Sequence, residues 1–391
     1  MEINRLIEGT LALSREIFGS DFIPLHRPVF EGNERQYLIN CIDSNFVSSV
    51  GVKVTEFEEK VAKFTGAKYA VATVNGTAAL HVAIELAGVK PGDEIISQAV
   101  TFIATCNAIS YAGAEPLFVD VDVDTMGLSP VALKRFLEEN AEKRTSGTFN
   151  KTSGKKISAC IPMHTFGFPC RIAEIAEICA DWDIALIEDA AESLGSYVGS
   201  CHTGTFASMA TLSFNGNKVI TTGGGGMIIT NDSELAKRAK YITTTAKVPH
   251  PYEFVHDQIG YNYRMPNLNA ALGCAQMERL EEFLTIKTQL ADQWDAFFSK
   301  RGADFVKAIE GNKANHWLNT IILDSREDRD KFLKITNDND IMTRPIWTLM
   351  SKLPMFKDCQ TDGLENSIWL EDRVVNIPSS IPDGALKKLS N

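Results

Sequence analysis

One lysine, Lys218, lies in a segment of small and polar residues, LSFNGNKVITTGGGG, at positions 212–226. Among small residues and glycines a lysine is partly desolvated, and a free amine of this kind forms imines with carbonyl compounds. Taken alone, Lys218 also fits an exposed lysine in a glycine-rich turn. Glycines 223–226 do not match the GxGxxG dinucleotide fingerprint, because the apolar residues MIIT that follow predict a strand. Instead, these glycines allow the backbone to pass close to a ligand.

A candidate anion site precedes this lysine in the stretch VNGTAALH. A predicted strand ends there and a helix begins, so the N–H groups of Gly76, Thr77 and Ala78 point away from the new helix. Free N–H groups at a helix N-terminus bind phosphate and other anions. An ordinary helix cap gives the same pattern.

Two carboxylates, Glu188 and Asp189, follow the apolar strand in LIEDAAES. A buried carboxylate is costly without a partner, so one of them is expected to face a cation in a cleft. Capping of the next helix is the alternative. Both this stretch and the phosphate turn lie at strand ends, where open α/β sheets bind ligands.

Together these groups meet the requirements of pyridoxal phosphate. A helix N-terminus binds the phosphate, Asp189 pairs with the ring nitrogen, and Lys218 forms an imine and moves a proton. Phe102, in TFIATCNA, is placed to stack on the ring, although core packing also explains an aromatic residue there. The sequence therefore predicts pyridoxal phosphate as cofactor.

The elements that position these residues alternate between apolar strands and helical segments from about residue 53 to residue 230. Such alternation is typical of a mostly parallel sheet with helices on both faces. The predicted strands are YAVATV, EIISQ, PLFVDVD, ISACIPM, IALIEDA and MIIT, and the predicted helices are FEEKVAKFTG, AALHVAIELAG, SPVALKRFLEEN and RIAEIAEICADW. The polar segment 141–157 predicts an exposed excursion.

The amphipathic segment 267–299 predicts a helical connector to a smaller C-terminal unit. In that unit HWLNTIIL predicts a strand and REDRDKFLKITNDN a helix. We therefore predict a large domain at residues 24–265, and a connector helix with a small domain at residues 266–391. The N-terminal segment 1–23, an amphipathic helix, is expected to join the small domain.

The composition excludes several other classes of protein. The formal net charge of −11 argues against a nucleic-acid or acidic-membrane binder. No apolar run approaches the ~20 residues of a membrane span, and the N-terminus lacks the apolar core of a signal peptide. The eight cysteines form no CxxC pair, and no zinc-type histidine spacing accompanies them, so no metal site is predicted. Reduced thiols favour a cytoplasmic location.

The motifs NGTAALHVAI, TFIAT, GAEPLFVDVD, IEDAAESLG, LSFNGNKVITTGGGG and GYNYRMPNLNAALG resemble those of the DegT/DnrJ/EryC1/StrS nucleotide-sugar aminotransferases. The resemblance covers roughly residues 24–290. It implies a fold-type I pyridoxal-phosphate aminotransferase, with a mostly parallel seven-stranded sheet between helices and a smaller C-terminal α/β domain. HTFGFP, EDAAESLGS and TRPIWTLMSKLPMF are similar to the legionaminic-acid and bacillosamine branch of the family.

The resemblance also implies roles for individual residues. Lys218 is the imine-forming lysine, and Glu192 contacts the cofactor at a position where many members have Gln. A carboxylate beside the cofactor's phenolic oxygen is expected to share a proton. The full set of implied cofactor contacts is Gly76, Thr77, Ala78, Phe102, Asp189, Glu192, Ser213, Lys218 and Asn262. Asn262 is expected to reach the cofactor of a neighbouring subunit, in a homodimer with shared active sites. The adjacent Arg264 either serves that interface or forms a structural ion pair.

Substrate contacts are expected from His164, which ends a strand, and from three residues of the small domain. Those three are His316, Trp317 and Arg344. A guanidinium group suits a pyrophosphate, so Arg344 is predicted either to bind that group or to form a surface ion pair.

The implied reaction transfers an amino group from L-glutamate to the C4 keto group of a UDP-linked 4-keto-6-deoxy-N-acetylhexosamine. A GDP-linked or other keto-sugar nucleotide and a non-catalytic cofactor-binding dimer are the alternatives. Members that dehydrate sugars have His at the lysine position, so Lys218 favours transamination. The chain ends soon after NIPSS, where relatives often continue with a helix, which raises the possibility of a truncated C-terminus.

Overall fold

The computed structural model describes residues 3–389. In chain order its helices are α1 (Ile3–Phe18), α2 (Glu34–Asp43), α3 (Val52–Thr65), α4 (Gly76–Leu86), α5 (Ile103–Tyr111), α6 (Pro130–Asn140), α7 (Ile172–Asp181), α8 (Ser233–Thr243), α9 (Asn267–Met277), α10 (Leu280–Ser299), α11 (Arg326–Asp338), α12 (Glu365–Glu371) and α13 (Ala385–Leu389). No helix in this part of the chain is long and apolar enough to cross a membrane.

Sixteen strands accompany these helices within residues 3–389. They are β1 (Tyr69–Thr73), β2 (Glu94–Gln98), β3 (Glu115–Val119), β4 (Ala141–Arg144), β5 (Gly147–Asn150), β6 (Ile157–Ile161), β7 (Ala185–Asp189), β8 (Tyr197–Val198), β9 (Cys201–His202), β10 (Met209–Ser213), β11 (Gly226–Thr230), β12 (Asp304–Phe305), β13 (Asn312–Lys313), β14 (Asn319–Ile322), β15 (Arg344–Pro345) and β16 (Val374–Ile377).

The large domain is built on a seven-stranded sheet with the order β1-β11-β10-β7-β6-β2-β3. The pairs from β10 through β3 are parallel, whereas β11 runs antiparallel to both of its neighbours. The carboxyl ends of β7, β10 and β2 therefore meet at one edge of the sheet. The prediction of a mostly parallel seven-stranded sheet is confirmed.

Helices cover both faces of this sheet, because its central strands are apolar on both sides. On one face α4, α5 and α8 pack in a core that includes Val82, Ile84 and Ile228. On the other face α6 and α7 pack in a second core around Phe136 and Ile175.

The small domain is a four-stranded sheet with the order β12-β14-β16-β15, covered by α1, α10 and α11. Trp294, Phe298 and Phe332 fill its core and are completely buried. The predicted amphipathic N-terminal helix is α1, and it packs against α11.

Two predicted segments differ from the structure in detail, and one strand was not predicted. The predicted connector at 267–299 is two helices, and the first of them, α9, packs against α2 and α3 of the large domain. The segment 141–157 was predicted as an exposed excursion, but it contains the hairpin β4–β5, and its strand β5 is largely buried. β10 lies in the centre of the sheet although its sequence, MATLS, carries little strand signal.

Candidate active site

The phosphate turn joins β1 to α4. Asn75 has extended backbone angles and caps α4, and its side chain accepts a hydrogen bond from the Ala78 N–H at 2.8 Å. Asn is among the preferred N-cap residues for this reason. The Ala78 N–H is therefore already paired with Asn75. This differs from the prediction that Ala78 contacts the phosphate. The N–H groups of Gly76 and Thr77 remain the donors at this helix end.

Close backbone approach around this turn depends on Gly226, at the start of β11. A Cβ on Gly226 would lie 2.4 Å from the carbonyl carbon and oxygen of Asn75 and 2.6 Å from the Gly76 nitrogen. Ser213, at the end of β10, faces the same turn, since a Cβ on Gly76 would lie 3.1 Å from the Ser213 Cβ. The sheet thus brings Ser213 and the turn together, as the predicted phosphate site requires.

We expect Gly226→Ala to weaken cofactor binding by displacing the phosphate turn. The clashing atoms belong to the backbone, so the turn must move, at a cost of about 1–3 kcal/mol of folding stability. The melting temperature and the dissociation constant for pyridoxal phosphate measure the two effects. Gly224→Ala is the matched control, because no heavy atom lies within 4 Å of a Cβ at Gly224. Equal cofactor affinities in the two variants would contradict this account.

Asp189 ends β7 and is buried at the edge of the cavity. Its Oδ2 accepts from the Thr105 hydroxyl at 2.7 Å and its Oδ1 from the Ala191 N–H at 3.2 Å. Burial raises the pKa of Asp189, while these two hydrogen bonds oppose the shift. A carboxylate has about four acceptor positions, so Asp189 can accept one more donor from the cavity. A cationic donor there would favour its ionised form.

Glu188 points away from the cavity, because successive residues of a strand face opposite sides. Its carboxylate accepts from the N–H groups of Gly204, Phe206 and Ala207, and it lies 3.0 Å from the His164 Nε2. Of the two carboxylates in LIEDAAES, Asp189 is therefore the one that faces the cavity.

His164 does not lie where a substrate contact was expected. It is completely buried, its Nδ1 accepts from the Cys170 N–H at 3.2 Å, and its Nε2 faces Glu188. Both ring nitrogens are used inside the large domain. The structure therefore separates His164 from the cleft and gives it a structural role.

Lys218 extends into the cavity from the loop between β10 and β11. Its Nζ lies 3.0 Å from Glu192 Oε1 and 3.8 Å from the centre of the Trp317 ring. The Trp317 indole N–H donates to the carbonyl of Asn217 at 2.6 Å, so Trp317 also fixes the backbone next to the lysine. A lysine held between a carboxylate and an aromatic face is oriented for reaction and partly shielded from water.

Glu192 is buried beside this lysine. Its Oε2 accepts from the Phe166 N–H at 2.8 Å, and burial raises the pKa of its carboxyl group, although Lys218 opposes the shift. The Asn315 side chain donates to the Glu192 carbonyl at 2.8 Å and accepts from the Trp317 N–H at 2.8 Å. Asn315 thereby links Glu192 and Trp317, the two residues that contact the Lys218 amine.

We expect Glu192→Gln to remove one pH dependence from the stability of the cofactor-free enzyme. The folded pKa of Glu192 is raised, so its stabilising contribution is present below the usual value of about 4.3 and is lost as pH rises through the folded pKa. Gln does not titrate, so the melting temperature of the variant relative to wild type should rise with pH above about 4.3. The pKa of Asp189 is also raised, so Asp189 contributes a pH dependence of the same sign, but this contribution is common to wild type and variant. A difference that is constant with pH would contradict the assignment.

The cavity around these residues has a volume of about 410 Å³. Gly76 and Thr77 of the phosphate turn, Lys218 and Glu192 line it together with two aromatic residues, Phe102 and Trp347, whose ring centres are 6.1 Å apart. Phe102 is about half exposed, so its ring face is available to a planar ligand.

The remaining predicted substrate residues differ in whether they line the cavity that contains Lys218. Trp317 lines this cavity and a neighbouring one of about 550 Å³. Arg344 lines the neighbouring cavity, and its guanidinium donates to Asn337 Oδ1 and to the Thr343 carbonyl, both at 2.8 Å. His316 lines neither cavity and instead packs edge-on against Phe168. The structure therefore does not bring His316 to the site.

Asn262 is exposed and does not line the cavity of its own chain. Its segment nevertheless runs beside the phosphate turn, because the Val74 N–H donates to the Tyr263 carbonyl and Arg264 pairs with Thr73. The Arg264 Nε lies 3.4 Å from Asn262 Oδ1, so these two polar side chains form one exposed pair.

Comparison with known proteins decides the family. The sequence model of the "DegT/DnrJ/EryC1/StrS aminotransferase family" matches residues 28–383. The chain belongs to this family. It is 36% identical over 363 residues to a GDP-perosamine synthase of Escherichia coli O157:H7, covering 92% of this chain and 93% of the relative. It is also 36% identical over 335 residues to the putative pyridoxal phosphate-dependent aminotransferase EpsN of Bacillus subtilis strain 168, covering 85% and 84% of the two chains.

The fold agrees with this membership. The crystal structure of the aminotransferase TlmJ from Streptoalloteichus hindustanus superposes with a TM-score of 0.84 at 23% identity, covering 94% of this chain and 96% of that one. The predictions of a fold-type I aminotransferase, of an enzyme and of pyridoxal phosphate as its cofactor are confirmed. The narrower prediction of the legionaminic-acid and bacillosamine branch is not supported, since the relatives include GDP-perosamine synthases.

The residues of this chain fit pyridoxal phosphate. N–H groups of the phosphate turn and the Ser213 hydroxyl suit the phosphate, and a buried Asp189 with spare acceptor capacity suits a cationic ring nitrogen. Lys218 is within the same cavity, and Phe102 offers a ring face.

Four residues of this site were not predicted from the sequence. They are Asn75, Thr105, Asn315 and Trp347. Asn75 had a usable signal, because Asn immediately before a predicted helix is a strong cap. The other three act through contacts between segments distant in sequence, which no local pattern reveals.

Proposed function

We propose that this family member transfers an amino group from L-glutamate to the C4 keto group of a nucleotide-linked 4-keto-6-deoxyhexose. The observation that carries the proposal is the placement of Lys218 Nζ in one cavity with Asp189 and the phosphate turn, 3.0 Å from Glu192. Lysine at this position supports amino transfer, because its amine can form an imine and can also carry a proton.

The side chains act as follows. When bound, pyridoxal phosphate supplies an electron sink for negative charge that develops at the substrate carbon. Lys218 Nζ takes the proton from that carbon and delivers it again, and Glu192 Oε1 and the Trp317 ring keep the free amine in place. Asp189 holds positive charge at the ring nitrogen, supported by Thr105. L-Glutamate leaves as 2-oxoglutarate, and the ketone of the second substrate becomes an amine.

Two observations favour different nucleotides in the sugar substrate. The names of relatives at 36% and 33% identity favour a GDP-linked sugar, whereas motifs such as TRPIWTLMSKLPMF favour a UDP-linked N-acetylhexosamine. We infer a GDP-linked 4-keto-6-deoxyhexose as first candidate, since that likeness covers more than nine-tenths of both chains. The UDP-linked sugar of a legionaminic-acid or bacillosamine route is the second.

A homodimer with shared active sites is part of the proposal. Exposed apolar side chains in the described residues include those of two segments, which we call the first and second surface: Phe46, Val50 and Val52 before and at the start of α3, and Phe254 and Ile259 in the loop before Asn262. Ile259 is 83% and Val52 80% exposed, and exposed apolar clusters of this kind mark interfaces. Asn262 lies next to the second surface in the chain. This position favours a contact between Asn262 and the active site of a partner subunit. The molar mass in solution tests the dimer.

The reaction is tested with the purified enzyme and its absorbance spectrum. A visible band should bleach on addition of L-glutamate and return on addition of the correct keto-sugar nucleotide. GDP-linked and UDP-linked 4-keto-6-deoxy sugars are compared at equal concentration, and the aminated product is identified by mass spectrometry. A band that L-glutamate does not bleach would overturn the donor, and a bleached band that neither sugar restores would overturn the acceptor.

A further inference from the structure

Lys287, on the inner face of α10, is a buried lysine that the reaction described above does not use. It is 1% exposed, and its Nζ donates to the carbonyl of Ser379 at 2.7 Å and to the carbonyl of Trp317 at 3.3 Å. No carboxylate forms an ion pair with it in the part of the chain described. Burial lowers the pKa of Lys287 to about 7. Because an unpaired buried ammonium group is costly, an apolar residue would stabilise this position better.

The Trp317 carbonyl connects Lys287 to Lys218. Trp317 lies with its ring against Lys218 Nζ, and its indole N–H holds the carbonyl of Asn217, the residue before Lys218. Asn315 fixes the Trp317 main chain on the N–H side. Lys287 fixes it on the carbonyl side and anchors it to Ser379, which follows β16 of the small domain.

We propose that Lys287 is a positioning residue for Lys218 and acts through Trp317. Its N–H groups set the height and tilt of the indole, and the indole sets the place of the Lys218 amine. The inference rests on the role proposed for Lys218 in amino transfer. It explains why a lysine occupies a site where Met or Leu would be less costly.

In the described part of the chain, two imidazoles and two carboxylates face the two lysines. His26 and His316 face Lys287, and burial together with Lys287 lowers the pKa of both, that of His316 to about 4. Both imidazoles are therefore neutral near pH 7. Glu192, Asp189 and His26 face Lys218. A change at Lys287 thus leaves the charges around Lys218 in place and alters mainly the position of Trp317.

The test compares holoenzymes with Lys287→Met and Lys287→Arg. Met has a similar length and no N–H, so kcat should fall roughly 10- to 100-fold, while KM for L-glutamate changes less than about threefold. The midpoint of the pH titration of the visible band should also shift, because that band reports the environment of Lys218. Arg can donate to both carbonyls and should restore kcat to within about threefold of wild type. Lys300→Met, at the exposed end of α10, is the control and should change nothing.

A double variant shows whether the effect passes through Trp317. In a Trp317→Phe background, which lacks the bond to Asn217, Lys287→Met should cause little further loss. Fully additive losses would overturn the proposal, and so would an unchanged kcat and an unchanged band titration in Lys287→Met. If Lys287→Met does not fold, Lys287→Gln takes its place, since the amide retains a neutral donor. Gln is one atom shorter than Lys, so a lower kcat and a shifted titration midpoint that Arg restores support the positioning role, whereas an unchanged kcat and midpoint, or a loss that Arg does not restore, overturn it.

Failure of this inference differs from failure of the proposed function. If Lys218 does not carry amino transfer, the wild-type enzyme itself shows no band that L-glutamate bleaches. If only the inference fails, wild type bleaches normally and Lys287→Met bleaches at the same rate.

Discussion

Lys218→Ala should reduce turnover roughly 10⁴-fold while leaving the fold intact. The variant loses the imine-forming amine and the group that moves the proton, so both halves of the reaction fail. Glu192 keeps the Phe166 N–H as a partner, and without Lys218 its carboxyl group is favoured in the protonated form. Steady-state turnover with L-glutamate and the keto-sugar nucleotide, together with the melting temperature, measures both statements. Borohydride reduction of wild type should add the cofactor's mass to the peptide that carries Lys218.

Lys218→Arg is the control for electrostatics. A guanidinium group can keep an ion pair with Glu192 and a contact with Trp317, but it does not form the imine. We therefore expect a wild-type melting temperature and the same loss of turnover as in the Ala variant. Turnover within tenfold of wild type in either variant would remove Lys218 from the reaction.

The same variant tests shared active sites. Lys218→Ala subunits keep Asn262, and Asn262→Ala subunits keep Lys218. If Asn262 serves the partner's cofactor, each mixed dimer has one intact site. Since about half the dimers in an equal mixture are mixed, about one quarter of wild-type activity should return. No recovery after subunit exchange would contradict the shared site.

Much of the sheet was predictable because apolar runs of about five residues alternate with helical segments. β6 and β7 are buried on both faces, and their sequences ISACI and ALIED show it. β10 was not predicted, because MATLS contains no Val, Ile or aromatic residue, and its burial comes from pairing with β7 and β11. Local propensity does not contain that information.

Contacts between distant segments hold the break between α9 and α10. Glu278 lies in the break and accepts from the Tyr37 hydroxyl at 2.7 Å, from Asn33 Nδ2 at 2.8 Å and from Lys60 Nζ at 3.1 Å. No Gly or Pro marks the position, so periodicity alone predicts one continuous helix.

The candidate site likewise contains residues that the sequence could predict and residues that it could not. Lys218, Asp189 and the phosphate turn lie at strand ends, and parallel strands bring such residues to one edge. His164 also ends a strand, yet its ring turns to Glu188 and Cys170 inside the domain. The direction in which a side chain leaves the end of a strand depends on partners distant in sequence. For this reason the sequence did not separate His164 from the cleft or identify Thr105 as a partner of Asp189.

Asp189→Asn should lower the rate of the L-glutamate half-reaction roughly 10²- to 10³-fold without loss of the fold. The amide replaces the carboxylate with little change of volume: its oxygen can accept from the Ala191 N–H, and its NH₂ can donate to the Thr105 hydroxyl. What is lost is the negative charge that stabilises a protonated ring nitrogen, and with it the electron sink. Stopped-flow absorbance after mixing with L-glutamate measures the rate.

Thr105→Val is the matched control, because it removes one hydrogen bond to Asp189 and keeps the charge, so its loss of rate should be about tenfold. Equal losses in the two variants would show that orientation of Asp189, and not its charge, governs the reaction, and a half-reaction in Asp189→Asn within tenfold of wild type would contradict the pairing with the ring nitrogen.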